Sequence, residues 1–129
     1  MSKILIDTNI YSHALLGDEN VVSVLRQAGT IGISAISIGE LLSGFKGGNR
    51  ENENQSELKE FLDSARVRLF AIDEDTAEFY AEILNQLRRA GTPIPTNDIW
   101  IGAVAQQHGL RLFSRDKHFD NISGLLQIS

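Results

Sequence analysis

IPTNDIWIGAVAQQHG, residues 94–109, reads as a helix that carries a carboxylate on its apolar side. Pro95 and Thr96 open it and Gly109 stops it, the usual punctuation at the two ends of a helix. Between them the residues are apolar enough that the helix must be largely buried. Asp98 shares a face with Ile101, Gly102 and Ala105, its i+3, i+4 and i+7 neighbours. A carboxylate aimed the same way as the packing stripe either complements the helix dipole or has something to hold. Gly102 removes side-chain bulk from that face, which predicts a close approach of the helix to a sheet.

The flanking sequence supplies the sheet. A short apolar strand, LRLFS at 110–114, follows the helix, and RDKHFDNI leads to a last apolar run, LLQI at 125–128. Before the helix, Asp73 to about Ala90 is a long helix, closed by Gly91 and the prolines at 93 and 95. VRLFAI at 67–72 is a strand, preceded by a helix from about Ser56 to Ser64. KGGNRENENQ at 46–55, rich in glycine, asparagine and charge, predicts a mobile connection. Upstream lie a helix from Ser37 to about Phe45, a strand TIGIS at 30–34, and a helix from Asp18 to Ala28. The chain starts on a strand at Lys3-Ile4-Leu5-Ile6, cut off by Asp7-Thr8-Asn9, which caps a helix reaching about Leu16.

Short apolar strands alternating with helices indicate one α/β domain over residues 1–129, a three-layer α/β/α sandwich with a central parallel sheet. A chain of 129 residues builds such a core without staples. With 42% hydrophobic and 22% charged residues it has an ordinary globular composition. The absence of cysteine excludes disulfides, thiolate zinc sites and a cysteine nucleophile. No apolar run approaches the length of a membrane span, and no signal peptide precedes the first strand, so the expectation is a cytoplasmic protein without a membrane partner. A net charge of −5 argues against nucleic acid unless the acids are gathered around cations.

In such a fold, ligands bind beyond the carboxyl ends of the strands. Asp7 ends the first strand, and Glu40 sits in the first turn of the helix after the second. Asp98 begins the helix returning to the fourth strand, and Asp116 lies just past that strand. Four carboxylates on one edge repel each other, and a divalent cation removes that penalty. Hard oxygen donors suit Mg2+ or Mn2+, which can activate water and neutralise a phosphate during in-line displacement. Each acid also has a plain structural reading. Asp7 suits an N-cap, Ser37-x-x-Glu40 matches a capping box, Asp98 complements a helix dipole, and Asp116 suits a turn. Asn9, Thr96 and Ser114 are candidates to orient the acids or their metal waters, with Thr8 and Asn97 better read as cap or turn residues. Asp120 and His118 are expected to be solvated loop residues.

Taken together, ILIDTN, SAISIGELLSG and GTPIPTNDIWIGAVAQQHGLRLFSRDKHFDNISGLLQI resemble the PIN-domain ribonucleases, and among them the VapC toxins of type II toxin–antitoxin systems. The resemblance covers nearly the whole chain. It implies metal-dependent hydrolysis of RNA phosphodiesters, of tRNA or rRNA, with the acidic quartet at Asp7, Glu40, Asp98 and Asp116. It also implies a homodimer and a VapB-type antitoxin, or a hetero-oligomer with it. Arg88 and Arg89, Arg115 and Lys117, and Lys46 and Arg50 are the candidate grips on RNA phosphates. Two other readings remain, a PIN nuclease outside toxin–antitoxin systems and a non-catalytic cation-binding module.

Overall fold

The computed structural model describes residues 2–128. Five parallel strands lie in the order β3-β2-β1-β4-β5, namely β1 (Lys3–Ile6), β2 (Thr30–Ser34), β3 (Val67–Phe70), β4 (Arg111–Phe113) and β5 (Gln127–Ile128). Side-chain alternation along the strands divides the core in two. Ile4 and Ile6 of β1 face one side with Ile31, Ile33 and Phe113, whereas Leu5 and Leu112 face the other. The first side is covered by α1 (Thr8–Leu15), α2 (Glu19–Gln27), α3 (Ala35–Lys46) and α4 (Glu51–Leu62), through Tyr11, Val21, Leu41 and Leu58. The second is covered by α5 (Glu74–Ala90) and α6 (Thr96–His108). Burial on both faces explains why the strands read as unbroken apolar runs, and the three-layer α/β/α expectation holds.

The helices start where short polar side chains cap them. Asp7, Asp18, Ser34 and Asp73 each accept a backbone N–H three residues on. Helices α5 and α6 form an antiparallel hairpin, with Thr76 at the start of α5 hydrogen-bonded to Gln107 at the end of α6. That pairing carries the start of α6, and Asp98 with it, to the carboxyl edge of the sheet. Ile99 and the whole run from Ile101 to Ala105 are buried, each large aliphatic side chain contributing about 1.5–3 kcal/mol.

Three local expectations are corrected. Residues 46–55 are not one loop, because α3 runs to Lys46 and α4 begins at Glu51, leaving only residues 47–50 between them. Glu51 and Glu53 in the first turn favour the helix electrically, and Glu51 pairs with Lys46 at 3.1 Å. Composition alone hid a helix start made of acids. Helix α3 is capped three residues earlier than predicted, by Ser34 rather than Ser37, so Glu40 lies in its second turn and forms no capping box. Gly102 makes room not for the sheet but for Ile122, whose terminal methyl would stand 2.7 Å from a Cβ there.

Candidate active site at the carboxyl edge of the sheet

Strand order reverses between β1 and β4, since β2 and β3 lie to one side of β1 and β4 and β5 to the other. That break leaves a crevice at the carboxyl ends of the two strands, the usual ligand position in such sheets. Asp7 follows β1 and Ser114 follows β4, and the two meet there although 107 residues apart. Ser114 is buried, donates its hydroxyl to Asp7 Oδ2, and accepts the Asp116 N–H at 2.9 Å. One hydroxyl therefore ties the ends of both strands, orienting the Asp7 carboxylate and holding the backbone at Asp116.

Asp7 is both a cap and a member of the acidic group. Its Oδ1 accepts the Ile10 N–H at 3.0 Å, while Oδ2 faces Ser114. The side chain is 5% exposed, and burial pushes its carboxyl above the ordinary value. The Ser114 hydroxyl and the Ile10 N–H pull it back down, and the charge of Asp116 pushes it up again. Asp98 is likewise raised, first by burial and then by the charges of Asp116 and Glu40, against a lowering contact with His118.

Glu40 reaches the group from α3. Its two oxygens accept hydrogen bonds from Thr8 Oγ1 at 2.6 Å and Asn97 Nδ2 at 3.3 Å. Thr8 and Asn97 thus support an acid, which reverses their weighting from sequence. Asn9 and Thr96 are exposed, and among the described residues neither hydrogen-bonds to any of the four carboxylates. Asp116 caps the 3-10 turn Lys117–Asn121 by accepting the His118 N–H at 2.9 Å.

His118 is the residue that sequence reading missed. Its Nδ1 lies 3.0 Å from Asp98 Oδ2 and 3.1 Å from Asp116 Oδ1. The available signal was its position two residues after Asp116 in a capped turn. Asp120 is exposed and accepts a hydrogen bond from Gln127, as a loop residue would.

The candidate phosphate grips divide. Arg115 is held by both oxygens of Asp18, at 2.7 and 2.9 Å, and draws that carboxyl down to about 2. Lys46 is tied to Glu51, and Arg50 to Glu53. Lys117 is exposed and without an ion pair among the described residues, in a cleft that it lines with Ser114, Asp116 and Gln127. Arg88 and Arg89 stand in the last turn of α5, the end that leads into α6. Among the described residues, no lysine or arginine pairs with Asp7, Glu40, Asp98 or Asp116. Apart from His118, the described residues give this concentration of negative charge no basic partner, and its carboxylates are hard oxygen donors that fit a divalent metal.

The chain is similar in sequence and in fold to known proteins. The family model of the PIN domain matches residues 4–125. The toxin FitB of Neisseria gonorrhoeae is 32% identical over 121 residues, 88% of this chain and 87% of that protein. Ribonuclease VapC4 of Mycobacterium tuberculosis is 30% identical over 88 residues, 68% of each chain. The solved VapBC2 complex of Rickettsia felis, bound to a DNA fragment from its promoter, superposes with a TM-score of 0.86 at 25% identity, covering 97% of this chain and 96% of the other. A match across nearly the full length, on a fold that carries the acids to one edge, shows that this chain belongs to the PIN-domain family, in its VapC branch.

Proposed function

We propose that the protein is a Mg2+- or Mn2+-dependent endoribonuclease, the toxin of a toxin–antitoxin pair, and that Asp7, Glu40, Asp98 and Asp116 are its catalytic acids. The observation that carries this reading is the gathering of carboxylates at the break in the sheet, with Asp98 and Asp116 against His118 and with Asp7 and Glu40 near enough for their charges to be felt, where no lysine or arginine pairs with them and burial raises two of them. A buried acid kept short of counter-charge destabilises its own fold, and binding a cation is the function that repays it.

Asp7, Asp98 and Asp116 would hold the metal, with Glu40 as a further ligand or as the group that orients the attacking water. Such a metal would supply neutralisation of phosphate charge and a lowered pKa for water. The chain's own residues do the positioning. Ser114 fixes the Asp7 carboxylate through Oδ2, and the N-cap bond to Ile10 fixes Oδ1. Thr8 and Asn97 hold Glu40 from both sides, so its orientation does not depend on substrate. Lys117, beside Asp116, meets the RNA backbone. Asn9 and Thr96 are exposed near this edge and would be available to waters on a bound metal.

The substrate is RNA, with tRNA and rRNA as the proposed classes, and the neutralising partner is a VapB-type antitoxin. Solved VapBC and FitAB complexes with similar folds support that pairing. Assembly is as a homodimer or with the antitoxin. No helix among the described residues is long and apolar enough to cross a membrane.

The test is cleavage of defined RNAs by purified protein in Mg2+, in Mn2+ and in chelator, with the product ends sequenced. Cleavage at discrete sites that chelator stops, and that Asp7→Asn and Asp98→Asn abolish while remaining folded, is the expected outcome. Undiminished cleavage in chelator, or full activity of either variant, would refute the assignment.

A further inference from the structure

His118 brings a nitrogen donor into an otherwise all-oxygen group. Its ring is half exposed, yet two restraints direct it. Asp116 accepts the His118 backbone N–H and so caps the turn that carries it. The next residue, Phe119, is fully buried in the core under α6, which anchors the turn and leaves His118 on the side of the acids. The result is a close triad. One donor atom each from Asp98, Asp116 and His118 lies within 4.8 Å of the others, and Nδ1 stands 3.0 and 3.1 Å from the two carboxylate oxygens.

Neighbouring ligands in an octahedral shell with bonds of about 2.1 Å are separated by about 3.0 Å. Both nitrogen–oxygen spacings therefore suit edges of such a shell. In the free protein Nδ1 hydrogen-bonds Asp98 Oδ2 and lies beside Asp116 Oδ1, so the ring already stands at ligand separation from both acids when an ion enters.

Resting on the reading of this edge as a metal site, we infer that His118 binds the metal through Nδ1 beside Asp98 and Asp116, and that this nitrogen favours Mn2+ over Mg2+. Mg2+ demands oxygen and retains its waters, whereas imidazole suits transition metals and competes poorly for Mg2+. The four-acid reading alone gives no such bias.

The test is pulsed electron paramagnetic resonance on the wild-type protein with substoichiometric Mn2+, together with metal titration of wild type, His118→Gln and Asp98→Asn. Wild type is expected to show the nitrogen coupling of a directly bound imidazole, and His118→Gln to lose it. His118→Gln should bind Mn2+ about tenfold or more weakly, with its Mg2+ affinity changed less than about threefold. No nitrogen coupling in wild type, coupling that survives His118→Gln, or equal losses for both metals would overturn the inference and leave the carboxylate site standing. Full Mn2+ affinity in Asp98→Asn would remove the metal site itself, and the inference with it. The wild-type spectrum needs no variant, and thermal melts establish that the variants are folded.

Discussion

Ser114→Ala removes the one hydroxyl that joins the ends of β1 and β4. The side chain is buried, and it serves a charge-assisted hydrogen bond to Asp7 and the N–H of Asp116. A hydrogen bond to an ionised group contributes about 1.5–3 kcal/mol, and a neutral one to a partly wet N–H about 1. Alanine recovers part of this by no longer burying a hydroxyl, so the net loss is about 2–3 kcal/mol. For a domain of this length that lowers Tm by roughly 6–15 °C.

The loss has a pH signature. Burial already holds the Asp7 carboxyl above its ordinary value, and the Ser114 hydroxyl is the largest influence pulling it down. Without that hydroxyl the folded-state pKa rises further. An acid whose pKa is higher folded than unfolded costs stability as pH climbs from the unfolded value through the folded one, and costs nothing below both. The deficit of Ser114→Ala is therefore largest at neutral pH and shrinks as pH falls through the raised folded-state value, reaching its minimum near the unfolded value of about 4. Melts from pH 3 to 8 in chelator measure it, and calorimetric Mn2+ titration should show affinity falling about 10–100-fold. Ser114→Thr, which keeps the hydroxyl, should restore both. A loss below about 1 kcal/mol, or one that persists undiminished in acid, would refute the reasoning.

Other perturbations probe the neighbours of this bond. Asp98→Asn should abolish cleavage yet leave the metal-free Tm at pH 7 no lower than wild type, because the ionised Asp98 carboxyl is penalised by burial and by Asp116 and Glu40; a clear drop in Tm would mark it as structural. Arg115→Gln should leave RNA affinity nearly unchanged, since Asp18 occupies that guanidinium, whereas Lys117→Gln should weaken binding and reduce the salt slope by about one. Filter-binding titrations across salt distinguish the two, and equal effects would contradict the division. Gly102→Ala gains about 1 kcal/mol of helix propensity but should realise less than that, because its Cβ meets the Ile122 terminal methyl at 2.7 Å and that methyl must turn aside. Ile122→Val deletes that methyl, so a double-mutant cycle should show a favourable coupling of about 1 kcal/mol or more, and additivity would rule out the contact.

Much of the candidate site is legible in the sequence because its acids sit at positions set by local pattern. Asp7 ends an apolar run, Asp98 follows the proline that opens a helix, and Asp116 follows a strand. Glu40 was assigned to the right edge on a mistaken helix start. The true cap is Ser34, and a serine, whether at 34 or 37, is equally eligible as a cap in sequence. The α4 start was lost for a related reason. Glycines and asparagines signal a turn, but the acids after them complement a helix dipole, and composition does not say where one ends and the other begins.

The sequence by itself determined the layers, the edge and the residues placed along it, since burial, capping and strand ends depend on neighbours a few residues away. The tertiary structure decided the sheet order, the hold of Ser114 on Asp7 across 107 residues, and that of Arg115 on Asp18 across 97. It also decided that Thr8 and Asn97 serve Glu40, that Gly102 yields to Ile122, and that His118 turns toward Asp98. Each of these is a choice of partner, and a side chain's partner is fixed by which distant elements pack beside it, a quantity no local pattern contains.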